Sequence, residues 1–484
     1  MNTYLDFLVI LLYFISVFYL GFRFSKKSAS EEDFYLGKKQ IHWVWLLFSL
    51  TATETSSLTF LSIPSLSFKG DFSFLQISLG YIIGRTIVAY FLLPSYYAGE
   101  RISIYEYLGE RFGTSAQKSM SLIFSISRIL GDGIRLYVTS LPIAFLIGRL
   151  HLFELTESQT GIIALFLLSF ATIVYAVYGG FRAIVFTDSL QLVIYLIGGF
   201  FSLGLLLYFL SQSAESSIIL QLTSAWQSNK FTIFHSDFPG TNPAYYFIFA
   251  ILGGAFISIG SHGTDLMLVQ RIIASKDLKT GQKILITSGF FVTFQFLLFL
   301  SIGTLLYLYY NGTEIASDKV FSYFIIDKIP SPFLGLLLSA ILASAMSTLS
   351  STINSLSLTW SRDWGMDKYM TPKVSSLIFG VILFLSALVP FGLSERFEKS
   401  ILEIGLTIFS YTLGPTIALF FFARNKTKHS FPNWIISPLL FGSIGLLVIL
   451  AQFITFPFTL LIPAGICIFC LGFWICDFIL GQKS

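Results

Sequence analysis

Charge is scarce in this sequence. Lys, Arg, Asp and Glu supply 12% of its 484 residues, against about a quarter in an ordinary soluble domain. Hydrophobic residues make up 55%, and the mean hydropathy is +0.77. That shortage excludes a water-soluble fold, which could not hide so much apolar surface. Cysteine is nearly missing: Cys467, Cys470 and Cys476 are the only three, all in the last apolar run, so no disulfide framework exists. Cys467 and Cys470 have CxxC spacing but neither a second pair nor a nearby His, and read as small apolar residues of a membrane helix. There is no His/Glu metal set, no nucleophile constellation and no cofactor motif, which argues against an enzyme and against an organic cofactor. The first apolar run, Leu5 to Phe22, lacks a basic leader and a small-residue cleavage site, so it is expected to be a retained span rather than a signal peptide. No loop is long enough to fold alone. The longest, about 211–244, is aromatic and Ser-rich and reads as a surface helix or lid.

What is present is a succession of apolar runs near the length of about 20 residues that spans a bilayer. We count about thirteen: 4–22, 42–66, 73–98, 118–148, 159–178, 184–210, 245–269, 284–310, 332–360, 373–393, 400–423, 434–454 and 457–480. The expected class is an all-α integral membrane protein. With the N-terminus outside and strict alternation, the inner loops carry twenty basic residues and the outer loops seven; Arg85, Arg128 and Arg135 fall within spans and complete the 30. This asymmetry follows the positive-inside rule and places the chain in the cell's inner (plasma) membrane with a cytoplasmic C-terminus.

Polar side chains and irregular backbone are costly in lipid, so their positions carry information. The second span contains Leu50-Thr51-Ala52-Thr53-Glu54-Thr55-Ser56-Ser57-Leu58-Thr59, a stretch able to unwind and offer carbonyls and hydroxyls to a cation. The sixth holds Asp188, which by spacing either serves an ion or caps a helix or pairs with Arg182. The seventh has Gly253-Gly254 followed by Ser258, Gly260, Ser261, His262, Gly263, Thr264 and Asp265, the mark of a broken helix; His262 alone reads as a buried hydrogen-bonding residue. In the ninth, Ser344, Ser347, Thr348, Ser351 and Ser355 share one helical face. That face suits either small-residue packing or a hard monovalent cation.

The interruptions are paired. Spans two to six and seven to eleven form two blocks of five, and an odd block length inverts the second relative to the first. Each block opens on a broken, polar helix, which points to a transporter site at the midplane between inverted repeats. The expected organisation is an extra helix and loop in 1–41, repeats in 42–210 and 245–423 around an external loop at 211–244, and two further helices in 424–484.

Five motifs in order resemble the sodium:solute symporter family: Glu31-Glu32-Asp33-Phe34-Tyr35-Leu36-Gly37, Tyr107-Leu108-Gly109-Glu110-Arg111-Phe112-Gly113, the run from Tyr178 to Gln191, Val269-Gln270-Arg271, and the hydroxyl helix Ser344 to Ser355 ending in Arg362-Asp363. The resemblance implies a five-plus-five inverted-repeat (LeuT-like) core, and sodium as coupling ion. It implies a first sodium site of carbonyls from Ala52, Thr55 and Ser344 with the hydroxyls of Ser347 and Thr348. Some members have a second site, which here would use Asp188, Ser347, Ser350 and Ser351. Glu54 stands where some members carry an acid important for sodium and others a neutral residue.

The solute is less legible. Sugar-carrying members have Asn and Tyr where this chain has Ser258 and Ser261, against a hexose. Arg135 either clamps a carboxylate, as in sialic-acid-carrying members, or pairs with Asp132. Glu54, Ser56, Thr59, Arg135, Ser258 and Ser261 are the candidate solute residues, and a small organic acid is the expected cargo, carried by a monomer. A sugar or other neutral solute, proton coupling through Glu54 or Asp188, and a non-transporting sensor are the alternatives. A sensor is expected to add a signalling domain, which no loop or tail here can form.

Overall fold

The computed structural model describes residues 3–24, 31–99, 101–149, 156–212, 217–235, 245–311, 320–393, 401–425, 432–454 and 458–481. Among them every regular element is helical. In chain order they are α1 (Thr3–Arg23), α2 (Glu31–Leu36), α3 (Trp43–Glu54), α4 (Ser57–Lys69), α5 (Phe74–Ile87), α6 (Leu93–Tyr97), α7 (Ile104–Phe112), α8 (Thr114–Arg149), α9 (Glu157–Ser211) and α10 (Ile218–Gln227). There follow α11 (Phe247–Gly263), α12 (Leu266–Ile273), α13 (Leu278–Tyr309), α14 (Val320–Lys328), α15 (Phe333–Asp363), α16 (Pro372–Leu393), α17 (Ile401–Arg424), α18 (Ile436–Phe453) and α19 (Phe458–Gly481).

Eight helices are long and apolar enough to cross a membrane among the described residues, or nine if the bent pair α11–α12 counts as one span. The difference from thirteen has physical causes. Helices α3 and α4 are separate pieces of 12 and 13 residues, each short of a span. Helix α8 carries Arg128, Asp132 and Arg135 in its middle. Helix α9, with 55 residues, is about 80 Å long at about 1.5 Å per residue, far more than one crossing needs. It bends at Gly180, whose φ of 59° suits glycine, and where a Cβ would meet the Phe34 ring at 3.0 Å.

Helix α15 is the axis of the bundle. Its residues from Ile341 to Thr359 are all buried, and α1, α3, α8, α9 and α16 pack around it. Helices α5 and α11 cross backbone to backbone: a Cβ on Gly80 or Gly84 would strike the main chain of Ile251 or Ala255, and one on Gly254 that of Ile77. Small residues allow this approach where lipid supplies no hydrophobic drive. Gly84→Leu is therefore expected to wedge α5 from α11 and lower the melting temperature of the purified protein by well over 5 °C, whereas Gly442→Leu, at a position open to its surroundings, should leave it within about 1 °C.

The long loop at about 211–244 contains a helix, α10, and the segment after it is tied to the end of α4. Lys230 Nζ donates to the carbonyls of Phe68, Lys69 and Gly70 at 2.8, 3.4 and 3.1 Å, capping that helix, and lies 3.8 Å from the centre of the Tyr307 ring. Burial lowers the Lys230 ammonium below its ordinary pKa. The rest of the loop, 213–216 and 236–244, lies outside the described residues, as do 25–30, 312–319, 394–400 and 426–431, which carry part of the charge asymmetry.

Candidate functional site

Two helices break in the interior, where their sequences are rich in Ser, Thr and Asp, side chains that compete with the helical backbone for its hydrogen bonds. Helix α3 ends at Glu54, and Thr55 and Ser56 are extended, with ψ of 113° and 164°. Ser56 Oγ accepts from Thr59 N at 3.4 Å and from or to Thr59 Oγ1 at 3.3 Å, starting α4. Between α11 and α12 the axis turns by 66° at Thr264 and Asp265, and Asp265 caps α12 by accepting from Met267 N at 2.9 Å. A helix end leaves its last carbonyls without intrahelical donors. At the end of α3, Thr51 O accepts from Thr55 N, and Thr53 O accepts from Thr348 Oγ1 at 3.4 Å.

The first set from the sequence converges. Ala52, Thr55, Ser344 and Ser347 line one small pocket, with Gln191 and Tyr195 beside them. Thr348 does not line that pocket; its Oγ1 donates to Ser344 O at 3.1 Å and to Thr53 O at 3.4 Å. The set is made of neutral oxygens, carbonyl and hydroxyl, the chemistry that holds sodium at unwound helices.

The second set meets an occupant. Asp188 Oδ1 accepts from Ser347 Oγ at 2.8 Å, and Oδ2 from Ser49 Oγ at 2.6 Å and Thr53 Oγ1 at 3.4 Å. Its ionic partner is not Arg182 but Arg271, on α12, with Nη2 at 3.2 Å. The same guanidinium donates to Ser49 Oγ at 2.9 Å, to Met267 O at 2.7 Å and to Ser351 Oγ. Ser350 turns away and donates to Ser347 O at 3.1 Å. Asp188, Ser347 and Ser351 are thus brought together around a guanidinium, and this buried knot joins α3, α9, α12 and α15.

The candidate solute residues divide. Arg135, Ser56, Ser57, Thr139 and Thr348 border a second small pocket, with Asp132 beside them. Arg135 Nη1 donates to Asp132 Oδ1 at 3.0 Å, so the pairing alternative holds, yet its side chain keeps 24% exposure towards that space. Asp132 also accepts from Thr352 Oγ1 at 2.6 Å and lies 3.6 Å from Arg128, which in turn pairs with Asp265 at the break of the second helix. Residues 128, 132 and 135 are one helical turn apart, so alternating charge runs along one face of α8 to that break.

Glu54 faces elsewhere. Its carboxylate is held by Arg85 Nη2 at 2.5 and 2.6 Å, and the ring of His262 lies 3.5 Å away. Arg85, wholly buried, also donates to Ser288 Oγ at 2.5 Å. Ser261 bonds His262 Nδ1 at 2.9 Å, and Ser258 packs against Gly84. Glu54, Ser258 and Ser261 therefore belong to the α5–α11 contact, apart from the Arg135 space. Sequence reasoning gave Arg85, Arg271 and Asp265 no site role, although Asp265 belonged to the expected broken helix and Arg271 to one of the motifs. For Arg85 the available signal was its place within a span, which demands a buried acid as partner.

A profile described as the Sodium:solute symporter family matches residues 34–430. The chain is 26% identical over 349 residues to the sodium/sialic acid symporter SiaT of Proteus mirabilis (strain HI4320), covering 70% of this chain and 66% of that protein. It is 25% identical over 334 residues to sodium-coupled monocarboxylate transporter 2 of Homo sapiens, covering 66% and 51%. The chain thus aligns with about two thirds of the length of the first relative and about half of the second. In fold it is similar to a solved structure described as the substrate-bound outward-open state of a Na+-coupled sialic acid symporter, with a TM-score of 0.82, 21% identity and 98% of both chains covered. It is also similar to Mhp1, a nucleobase-cation-symport-1 family transporter, with a TM-score of 0.58, 13% identity and 94% and 96% covered.

Proposed function

Because this chain belongs to the sodium:solute symporter family, a family of membrane transporters, we propose that it is a sodium-driven symporter importing a small organic acid by alternating access. The observation that carries the reading is the meeting of the first broken helix with the hydroxyl face of α15, where Ala52, Thr55, Ser344, Ser347 and Thr348 gather neutral oxygens beside the space that Arg135 borders. Sodium bound there steadies the break at Thr55–Ser56 and raises solute affinity next to it, and by linkage the solute raises sodium affinity by the same factor. Residues 42–210 and 245–423 are the two inverted repeats whose relative rocking exposes the site to either side. The chain sits in the inner membrane with its N-terminus outside and works as a monomer. Both alternative proton carriers, Glu54 and Asp188, are held by guanidiniums, which favours sodium as the coupling ion.

The acid class rests on Arg135 and on the sialic acid and monocarboxylate relatives. The test is the melting temperature of the purified protein in NaCl and in KCl with a panel of sugars, amino acids and organic acids. A rise specific to sodium and enlarged by acids supports the reading. Equal melting in both salts, with uptake that follows pH, replaces it with proton coupling. Arg135→Ala is expected to weaken binding of an acid by about 10- to 100-fold and of a neutral panel member by under about 3-fold, measured by titration in NaCl. Equal losses would remove the clamp.

A further inference from the structure

Helix α1 lies outside both proposed repeats, yet its packing is specific. One face of it is buried and carries Asp6, Tyr13, Val17 and Gly21, while Leu8, Leu11, Leu12, Ile15 and Tyr19 stay exposed. The four buried positions recur at i, i+7, i+11 and i+15, which makes them one helical stripe. Helices α9 and α15 lie against α1. Two of the four residues are polar. Asp6 stands at the start of α15, where Oδ1 accepts from Gly335 N at 2.8 Å and Oδ2 from Ser331 Oγ at 2.5 Å. Among the described residues no cation pairs with it; the free N–H groups and the positive end of α15 take that place. The two backbones touch there, for a Cβ on Gly335 would lie 2.5 Å from Asp6 O.

Further along the same stripe, α1 reaches the back of the ion set. Tyr13 Oη donates to Met346 Sδ at 3.2 Å and accepts from Gln191 Nε2 at 3.1 Å. A phenol has one proton, so giving it to the sulfur leaves the oxygen to accept from the amide. The carbonyl of Met346 is held as well, by Tyr175 Oη at 3.0 Å. Met346 is wholly buried and immediately precedes Ser347, and Gln191 stands beside Ser347 in the first pocket. Tyr13 therefore ties α15 to α9 at the level of Ser347. Ligands hold an ion well only when the groups behind them fix their orientation. Resting on the reading of this chain as a sodium symporter, we infer that Tyr13 is a positioning residue of the first sodium set. From a helix outside the repeats it fixes the turn of α15 that presents Ser347, and Asp6 anchors the start of α15 to the same helix.

Tyr13→Phe keeps the ring and removes the oxygen, and the probe is sodium itself, titrated as NaCl against the melting temperature of the purified protein. The midpoint is expected to rise by about 3- to 10-fold, the scale of one hydrogen bond's net contribution, while melting in KCl stays within about 2 °C of the unaltered protein. Val17→Ala, on the same face of α1 and without a polar atom, is the packing control: it should lower melting in both salts and leave the midpoint within about twofold. Met346→Leu removes the sulfur at nearly constant volume and should raise the midpoint in the same direction. Adding Tyr13→Phe to it should then cost less than the product of the two single shifts, because the pair acts through one contact. An unchanged midpoint in Tyr13→Phe, or equal midpoint shifts from Tyr13→Phe and Val17→Ala, would overturn the inference and leave the symporter reading standing. Melting of the unaltered protein that is the same in NaCl and KCl would overturn the symporter reading itself, and the inference with it.

Discussion

Glu54→Ala is expected to destabilise the protein by about 3–5 kcal/mol, because it strands the Arg85 guanidinium in an interior with no other acid in contact among the described residues. Arg85 is wholly buried, and its remaining partner is the neutral hydroxyl of Ser288 at 2.5 Å. The loss lies with the partner left behind more than with the attraction removed. Replacing both, as Glu54→Leu with Arg85→Met, should therefore recover most of the melting temperature that either single change loses. If Glu54 instead ligates sodium, Glu54→Gln would abolish the sodium-specific rise in melting temperature while costing little in KCl. The paired geometry predicts the reverse: a large loss in both salts. Thermal unfolding of the two single variants and the double variant in each salt separates these outcomes.

The sequence made some of this legible and hid the rest, for separable reasons. Local competition between side chain and backbone was readable. The run Thr51 to Thr59 foretold the break at Thr55–Ser56, and Gly253 to Asp265 foretold the one at Thr264–Asp265, because Ser, Thr, Asp and Gly weaken a helix wherever they cluster. The shared face of Ser344, Ser347, Thr348 and Ser351 followed from helical period alone. Pairings between helices were not readable. Arg271 lies 83 residues from Asp188 and Arg85 lies 31 from Glu54, and nothing in linear spacing ties them. Arg182, only six residues from Asp188, was a false lead: both follow the bend at Gly180 on one helix, where a spacing of six puts them on different faces, and Arg271 arrives from α12. The same limit explains the divided solute set: Glu54 and Ser56 are neighbours in sequence, but the extended residue between them sends one toward α5 and the other toward α8. Charge also sets α8 apart from the plainly apolar helices, for the residues that make it polar are those that tie it to the second break.

Ser347→Ala should remove sodium dependence. Ser347 is the one side chain common to both ion sets: its hydroxyl donates to Asp188 Oδ1 at 2.8 Å, and the residue lines the space with Ala52, Thr55 and Ser344. Taking away that oxygen deletes a ligand of the proposed sodium site, which is built from neutral groups that each carry a sizeable share of the binding. A loss of about 1–3 kcal/mol, or about 5- to 150-fold in sodium affinity, is the expected scale. Read by titrating NaCl against the melting temperature, the midpoint should rise by that factor while stability in KCl changes by under about 1 kcal/mol, since Asp188 keeps Ser49 and Arg271. Sodium affinity equal to that of the unaltered protein would remove Ser347 from the site. Ser350→Ala then tells the two sets apart. Its hydroxyl is spent on the Ser347 carbonyl, so with Arg271 in place the change should shift the midpoint by less than about twofold. A shift as large as that of Ser347→Ala would mean that an ion reaches the Asp188 set after all. For that to happen, Arg271 must leave, and because it sits on α12 beyond the second break, its departure would require the lower half of that broken helix to move.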